Sequence, residues 1–353
     1  MQKATPLLVI CLSLSFFIGG ACKKNKTDRP VDPDGKVIYL AGSLENSAGT
    51  TVPTIWKNGV PQSLSTNEGS AYDIFLSGSD EYVTGYELVS NDRVAKVWKN
   101  GVPQTLPAST NYASGEQIFV SDGKVYVLGF ETFSYQTALW IDGVKQSMAL
   151  PAHPYNSGNQ NVGLTVLHGD VYTAGVIKNA AGVEKAALFK NGGRMGVDTL
   201  PNTSSSASRL TVAGNDIYMT GYERINSSNP IPLRLWKNGA KQTLADAPAG
   251  ANFAACFVSG SEVYLVGEDR SKPVGTIGML IWKNGSLIHE VGGNNRILNP
   301  VAIVVSDGTV YVGGSELVVA TGIWKAKIWV NGIEQSISDG IKEVEISAMA
   351  IKK

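Results

Sequence analysis

The sequence predicts an all-β chain folded as a seven-bladed β-propeller, with four antiparallel strands in each blade. Two observations carry this prediction: a phrase that recurs seven times, and chain ends that supply complementary parts of one repeat. The recurring Tyr residues stand 43 to 47 residues apart, a spacing typical of propellers, solenoids or arrays. β-Solenoid repeats are far shorter, so seven such units favour a ring of seven blades.

Each copy of the phrase has two halves. The first half is a Tyr followed three residues later by a Gly, at Tyr39, Tyr82, Tyr126, Tyr172, Tyr218, Tyr264 and Tyr311. The second half is an aromatic residue that mostly leads into Lys-Asn-Gly, at Trp56, Trp98, Trp140, Phe189, Trp236, Trp282 and Trp329. Because they hold one fixed position in the third strand, we expect these aromatic residues to pack between blades.

One unit shows its four strands in order. The first apolar run, 74–77, ends at a turn, and the second and third runs lie at 82–85 and 94–98. Asn100-Gly101 then closes a tight turn, because Asn-Gly tolerates the positive φ angles of a type I′ hairpin. The fourth run, 103–106, is polar and begins with Pro, which suits an edge strand. No stretch of the repeats has a sustained helical period, so helices are not expected.

The chain ends predict how the ring closes. The first unit begins at Val37 with a second strand and lacks a first strand. The last unit is complete at Ile337, and one further apolar run, 346–351, follows it. We expect this C-terminal run to be the missing first strand of the N-terminal blade, because such closure removes the exposed sheet edges that favour aggregation.

The N-terminal residues predict export and anchoring. Residues 1–21 are typical of a signal peptide, with an apolar stretch too short to span a membrane comfortably. Gly19-Gly20-Ala21-Cys22 resembles a bacterial lipobox, which implies that Cys22 becomes the lipidated N-terminus; the alternative is an ordinary secretory signal with an incidental Cys. Residues 22–35 then form the lipidated Cys with a polar tether, and residues 36–353 form the propeller. We expect a bacterial cell-envelope protein, anchored to the outer membrane by lipid alone and facing either side.

Charge and residue content exclude several classes of function. Loss of residues 1–21 removes one of 30 basic residues and none of 30 acidic residues, which leaves a net charge of −1. Without a basic face, no nucleic-acid partner is expected. The three His are scattered and no Cys-x-x-Cys is present, so no metal or cofactor is expected. No nucleophile elbow or phosphate-binding loop is found, so no catalytic residue is assigned. Cys256, in a first strand, is predicted to be a buried small hydrophobe.

One face of the predicted ring carries the candidate binding residues. Turns between first and second strands and between third and fourth strands share one face, and they are short in this chain. The other loops are long and varied, and binding residues usually lie on such loops. Their aromatic and amide groups suit a glycan or a peptide, although the same residue types also fill turns for conformational reasons. The candidates are Tyr112, His153, Tyr155, Asn156, Asn159, Asn294, Asn295 and Arg296.

Two further sets of polar residues recur at aligned positions. The first strands place Asp73, Gln117 and Arg209 at the channel mouth. Asp73 and Arg209 either bind a charged group there or are solvated or paired within the structure. A partial ring of acids follows the second strands, at Glu87, Glu131, Glu223, Asp269 and Glu316. Calcium needs several oxygens at one point, whereas these acids are spread one per blade. We therefore expect cross-strand pairing with third-strand bases such as Lys96, Arg234 and Lys327.

Gly85-Tyr86-Glu87 and the run 97–101 resemble the repeats of uncharacterised propeller lipoproteins from Bacteroidetes, over residues 36–353. The resemblance concerns scaffold positions and implies no active residue. In that family an acidic run after the Cys usually signals surface export, and Lys23-Lys24-Asn25-Lys26 stands here instead. We expect a monomeric module that binds a glycan, a peptide or an envelope protein on its loop-rich face. The alternatives are a lyase or hydrolase with a site at the channel mouth, and a structural subunit of an envelope complex.

Overall fold

The computed structural model describes residues 35–132, 136–152, 163–197, 199–201, 203–224, 233–243, 251–273, 275–337 and 342–352. These residues form seven four-stranded antiparallel sheets, the blades of a β-propeller. No helix occurs among them, and hence none long and apolar enough to cross a membrane. The predicted all-β, seven-bladed architecture is therefore confirmed.

The strands are numbered β1 to β28 in chain order, and each blade holds four of them. The innermost strands are β28 (Val344–Lys352), β4 (Gly69–Ser77), β8 (Ala113–Ser121), β12 (Gly163–Leu167), β16 (Ser204–Ala213), β20 (Ala251–Ser259) and β24 (Arg296–Ser306). The second strands are β1 (Val37–Glu45), β5 (Asp80–Val89), β9 (Lys124–Glu131), β13 (Asp170–Lys178), β17 (Asp216–Arg224), β21 (Glu262–Asp269) and β25 (Thr309–Val318). The third strands are β2 (Thr51–Lys57), β6 (Asp92–Lys99), β10 (Gln136–Ile141), β14 (Glu184–Lys190), β18 (Leu233–Lys237), β22 (Gly278–Lys283) and β26 (Ile323–Val330). The outer strands are β3 (Val60–Ser63), β7 (Val102–Thr105), β11 (Val144–Lys145), β15 (Gly193–Met195), β19 (Ala240–Gln242), β23 (Ser286–Val291) and β27 (Ile333–Ser336).

The ring closes through its innermost strands and its C-terminus. Each innermost strand contacts the innermost strand of the next blade, and β24 contacts β28, which in turn contacts β4. β28 pairs antiparallel with β1, with Met349 opposite Leu40, so blade 1 contains β28, β1, β2 and β3. The prediction that the C-terminal run completes the N-terminal blade is confirmed. Blades 2 to 7 take the remaining strands in order, four at a time.

The repeated Gly lies against a β-bulge. In six blades one extra residue interrupts the pairing of the innermost strand with the second strand, as Tyr72 does between Ala71 and Asp73. The residue just before that bulge pairs with the repeated Gly, which is Gly85 in blade 2. A Cβ on Gly85 would lie only 2.0 Å from the carbonyl oxygen of Ser70. Gly therefore occupies this position because the two backbones approach closely.

The repeated Trp residues pack between blades, as predicted. Six third-strand Trp side chains are at most 2% exposed. Trp98 of blade 2 packs with Ile55 and Ala41 of blade 1, and Trp329 of blade 7 packs with Ile281 of blade 6. The described core divides into seven such clusters, each joining two neighbouring blades. Burial of large aromatic surface is thus spread over all the blade interfaces.

The Lys-Asn-Gly turn fastens the third strand to the second. In all seven copies the two central residues have positive φ, between 48° and 84°, as a type I′ turn requires. The first of them also accepts a hydrogen bond at 2.8–2.9 Å from a backbone N–H near the start of the second strand, as Asn100 Oδ1 does from Glu81. Asp142 takes the same role in blade 3. The preceding Lys lies over the repeated Tyr, with Lys99 Nζ 5.2 Å from the Tyr82 ring centroid.

Candidate functional site

The innermost strands enclose a cavity of about 510 Å³ in the central channel. Its walls come from the second half of these strands, from the residue after the bulge to Leu76, Ser306 and Ile351 at or next to the strand ends. All the innermost strands except the C-terminal β28 end at the short turns. The cavity therefore lies in the half of the channel nearer the short turns, and its inner end lies at the level of the bulges.

Three predicted site residues line the inner end of this cavity. Asp73, Gln117 and Arg209 each follow the bulge in β4, β8 and β16, and all three line the cavity. The other blades carry Gly or Ala at this position: Gly163, Ala255, Ala302 and Ala348. Only three blades therefore present a polar side chain at this level, and the small residues leave room for the long Arg209.

Asp73 and Gln117 tie neighbouring blades together. Asp73 Oδ2 accepts a hydrogen bond from the backbone N–H of Ile118 at 3.0 Å, and its Oδ1 accepts one from Ile74 at 2.9 Å. Gln117 Oε1 accepts from the backbone N–H of Leu164 at 2.7 Å. Each side chain thus satisfies an amide of the next innermost strand, which would otherwise be left without a partner in the channel wall.

The environment of the cavity shifts the pKa values of the titratable groups that line it. Burial raises the pKa of Asp73 to about 6, and the charge of Arg209 and the two backbone N–H groups offset this effect only in part. Burial lowers the pKa of the Arg209 guanidinium, against the charges of Asp73 and Glu116. Arg209 Nε is buried and has no hydrogen-bond partner among the described residues. Cys256 also lines the cavity, and burial raises the pKa of its thiol to about 12.

The acidic ring is used for pairing within blades. Glu87, Glu223 and Glu316 are buried, and they lie 3.6, 2.5 and 3.3 Å from Lys96, Arg234 and Lys327 respectively. The predicted cross-strand pairs are therefore confirmed. Glu131 pairs with Lys145 of the outer strand of its blade. Within the described part of the chain, no three His, Cys, Asp or Glu side chains converge where they could hold a metal ion.

Tyr112 belongs to an aromatic cluster between blades 2 and 3. Arg93 donates hydrogen bonds to the hydroxyl groups of Tyr112 at 3.3 Å and Tyr72 at 3.0 Å. The guanidinium carbon lies 3.7 Å from the Tyr86 ring centroid and 5.2 Å from that of Phe130. The hydroxyl and the ring of Tyr112 both contact Arg93, so this residue stabilises the contact between two blades, although its side chain is only half-buried.

Three of the remaining loop candidates lie among the described residues, next to one another at the start of β24. Asn294 and Asn295 are exposed turn residues with positive φ, 42° and 65°. Arg296 begins β24 and pairs with Glu316 at 2.8 Å and Glu334 at 2.6 Å. These features fit the conformational role that such residue types often have. The candidates His153, Tyr155, Asn156 and Asn159, and the lipidation residue Cys22, lie outside the described residues.

Sequence reasoning missed the apolar part of the cavity. Phe75, Phe119 and Phe257 line it, each two residues after the position that follows the bulge in its strand. The ring centroids of Phe75 and Phe119 lie 4.8 Å apart. Thr211 occupies the equivalent place in blade 5. The alternation of side-chain direction along a strand could have identified these residues, because residues two apart point to the same side of the sheet. Arg93, at the centre of the aromatic cluster, gave no comparable signal.

Comparison with known proteins places the chain among β-propellers without assigning an activity. No protein-family model and no curated protein matches it. The β-propeller domain of the Trilobed protease from Pyrococcus furiosus is similar, with a TM-score of 0.52, 12% identity, and coverage of 87% of this chain and 93% of that one. Pyrococcus horikoshii acylaminoacyl peptidase has a TM-score of 0.55 and 11% identity over 86% of this chain and 50% of its own. A Mycobacterium tuberculosis puromycin-hydrolyzing peptidase has a TM-score of 0.52 and 11% identity, and this chain likewise spans 50% of its length. At these identities the likeness shows the fold alone.

Proposed function

We propose that this protein is a non-catalytic binding module of the bacterial cell envelope, held at the outer membrane by a lipid on Cys22. The observation that carries the binding role is the channel cavity of about 510 Å³, a size that small-molecule sites commonly have. Its mixture of apolar walls and a few polar side chains is also typical of such sites. Binding of a glycan, a peptide or an envelope protein on the loop-rich face stays a prediction, and its candidates among the described residues are Tyr112, Asn294, Asn295 and Arg296.

The chemistry of the cavity favours binding over catalysis. The Asp73 carboxylate already accepts two backbone hydrogen bonds, which leaves it poorly placed to take a proton from a substrate. The Cys256 thiol, with its pKa raised to about 12, stays protonated at neutral pH, and the thiolate is the nucleophilic form. No His is among the described residues that line the cavity. The lyase or hydrolase alternative therefore lacks an activated nucleophile in this part of the chain.

Ligand-dependent thermal unfolding of the full chain in detergent tests the binding role. A panel of glycans, peptides and small metabolites should include a compound that raises the melting temperature, because a ligand that binds only the folded state stabilises it. Thr211→Phe is the control that fills the channel, since Phe stands at the equivalent position in three other blades. Stabilisation should be lost in Thr211→Phe and retained in Tyr112→Ala if the ligand lies in the channel, and the reverse if it lies on the loop-rich face. Turnover of a panel compound would contradict the non-catalytic assignment.

The lipid anchor is tested separately. Incorporation of radiolabelled palmitate into the wild-type chain, and its loss in Cys22→Ala, is the expected result, because the resemblance to a lipobox implies acylation of this thiol. Cys256→Ala is the matched control, since Cys256 lies half-buried in the wall of the channel, inside the propeller, and should not be acylated. Equal labelling of wild type and Cys22→Ala would exclude Cys22 as the anchor.

A further inference from the structure

Arg209 departs from the structural role of its equivalents in other blades. At this position Asp73 and Gln117 accept hydrogen bonds from the backbone amides of the next innermost strand. A guanidinium carries five N–H donors and no acceptor, so Arg209 cannot replace them. Its Nε is buried without a hydrogen-bond partner in the described part of the chain. The blade contact does not explain this residue.

The energetics of Arg209 call for an anion. The Arg209 side chain is half-buried in the channel wall, and a charge partly withdrawn from water is stabilised by pairing and hydrogen bonding. Of the two acids whose charges act on Arg209, Asp73 has the larger effect, yet Asp73 and Arg209 form no ion pair of ordinary length. Both carboxylate oxygens of Asp73 instead accept hydrogen bonds from backbone amides. A carboxylate bound in the channel would pair with the part of the Arg209 guanidinium that faces the cavity, because its two oxygens match the planar fork of Arg.

The walls of the cavity define the rest of the ligand. Beyond the polar end, the half-buried side chains of the lining are mostly aromatic and aliphatic: Phe75, Leu76, Phe119, Leu210, Phe257 and Ile351. A ligand whose charged end lies at Arg209 must place its body against these side chains. That body is therefore apolar, and its burial adds favourable free energy in proportion to the area removed from water.

The acids near Arg209 limit the charge of the ligand. The charges of both Asp73 and Glu116 act on the Arg209 guanidinium. A second negative charge on the ligand would meet these acids without a second cation among the described residues that line the cavity. A singly charged carboxylate is thus favoured over a doubly charged phosphate.

We propose that the channel binds a small monocarboxylate with an apolar body, its carboxylate held by Arg209 and its body enclosed by the Phe and aliphatic side chains. This inference rests on the proposed binding function, because it concerns the same cavity. It adds the chemical class of the ligand, and it assigns Arg209 as the residue that selects it.

Calorimetric titration of the full chain in detergent tests the ligand class with three matched probes. These are 3-phenylpropanoate, its neutral isostere 3-phenylpropanamide, and the cationic 3-phenylpropylamine. We expect the carboxylate to bind at least about tenfold more tightly than the amide, because only the carboxylate pairs with Arg209. The uncharged amide enters detergent at least as readily, so uptake by micelles cannot produce this preference.

Variants assign the preference to Arg209. In Arg209→Met the carboxylate and the amide should bind equally, whereas Arg194→Met, on the exposed side of β15, should keep the wild-type preference. Arg209→Gln provides a second variant should the first not fold, and Thr211→Phe should abolish binding of the carboxylate. Equal binding of the three probes to wild type would overturn the carboxylate class but leave the binding function intact. Absence of binding by every probe, or an unchanged preference in Arg209→Met, would also overturn it, while the wider ligand panel decides the binding function independently.

Discussion

Substitution of the repeated Gly tests the link between the sequence phrase and the bulged blade. In Gly85→Ala the new Cβ would lie 2.0 Å from the oxygen of Ser70 and 3.0 Å from the Cα of Ala71. Carbon-to-oxygen contacts are ordinarily about 3.3 Å or longer, so β4 and β5 must separate by roughly 1 Å at this point. That separation costs one or two ladder hydrogen bonds at about 1 kcal/mol each, and strains the packing by about 1–3 kcal/mol. We expect the free energy of unfolding to fall by about 2–5 kcal/mol in total.

Urea unfolding of wild type and variant at one temperature measures this loss. Gly196→Ala is the matched control, because a Cβ there meets nothing within 4 Å and the backbone is not left-handed. The control should change the free energy of unfolding by less than about 0.5 kcal/mol, as surface substitutions usually do. A loss of that small size in Gly85→Ala would refute the account of the Gly as a position of close backbone approach.

Three further outcomes are expected. Deletion of residues 344–353 removes β28 and should lower the melting temperature of the whole ring in one transition; an unchanged melting temperature would show that closure adds no stability. Asn331→Ala should cost about 1–2 kcal/mol in urea unfolding, because it loses the hydrogen bond from Val310 and a residue suited to positive φ, whereas Asn331→Asp should be tolerated as Asp142 is in blade 3. Because the folded pKa of Asp73, about 6, exceeds that of an unfolded Asp, its contribution to stability is present at low pH and is lost as the pH rises from about 4 through 6. Wild-type stability relative to Asp73→Asn should therefore fall between about pH 4.5 and pH 7.5, and parallel profiles would contradict the burial of this carboxyl group.

The architecture was predictable because each blade repeats the same local chemistry. Asn-Gly indicates a type I′ turn from two residues alone, and a fixed Trp position indicates a repeated interface. The reason for the repeated Gly was not predictable. It depends on the bulge at Tyr72, and a bulge is a property of the pairing between two strands, not of either strand. The hydrogen bond from Glu81 to the Asn100 side chain likewise joins residues that are distant in sequence.

Alignment of the seven repeats predicted which residues share a layer of the candidate site, but not how they bond. Equivalent positions in the repeats identified Asp73, Gln117 and Arg209 as one layer, and the structure places them in one cavity. The bonds that Asp73 and Gln117 form were not predictable, because their partner amides belong to the innermost strand of the next blade and are distant in sequence. The expectation for Arg296 treated it as a loop residue, although it begins β24 and pairs with Glu316 in the same blade.

Comparison among blades separates structural residues from candidate recognition residues without reference to any other protein. Wherever the seven copies agree, the described structure supplies a reason within the scaffold: close backbone approach for Gly, blade packing for Trp, and a strand-to-turn hydrogen bond for Asn. Where the copies differ, a residue is structural if its side chain can still form the hydrogen bond that the equivalent residues form in other blades. Gln117 can replace Asp73 because both carry an acceptor, but Arg209 carries donors alone. Arg209 therefore places donors in the cavity where its equivalents place acceptors, and this makes it the residue with which a search for the ligand should begin.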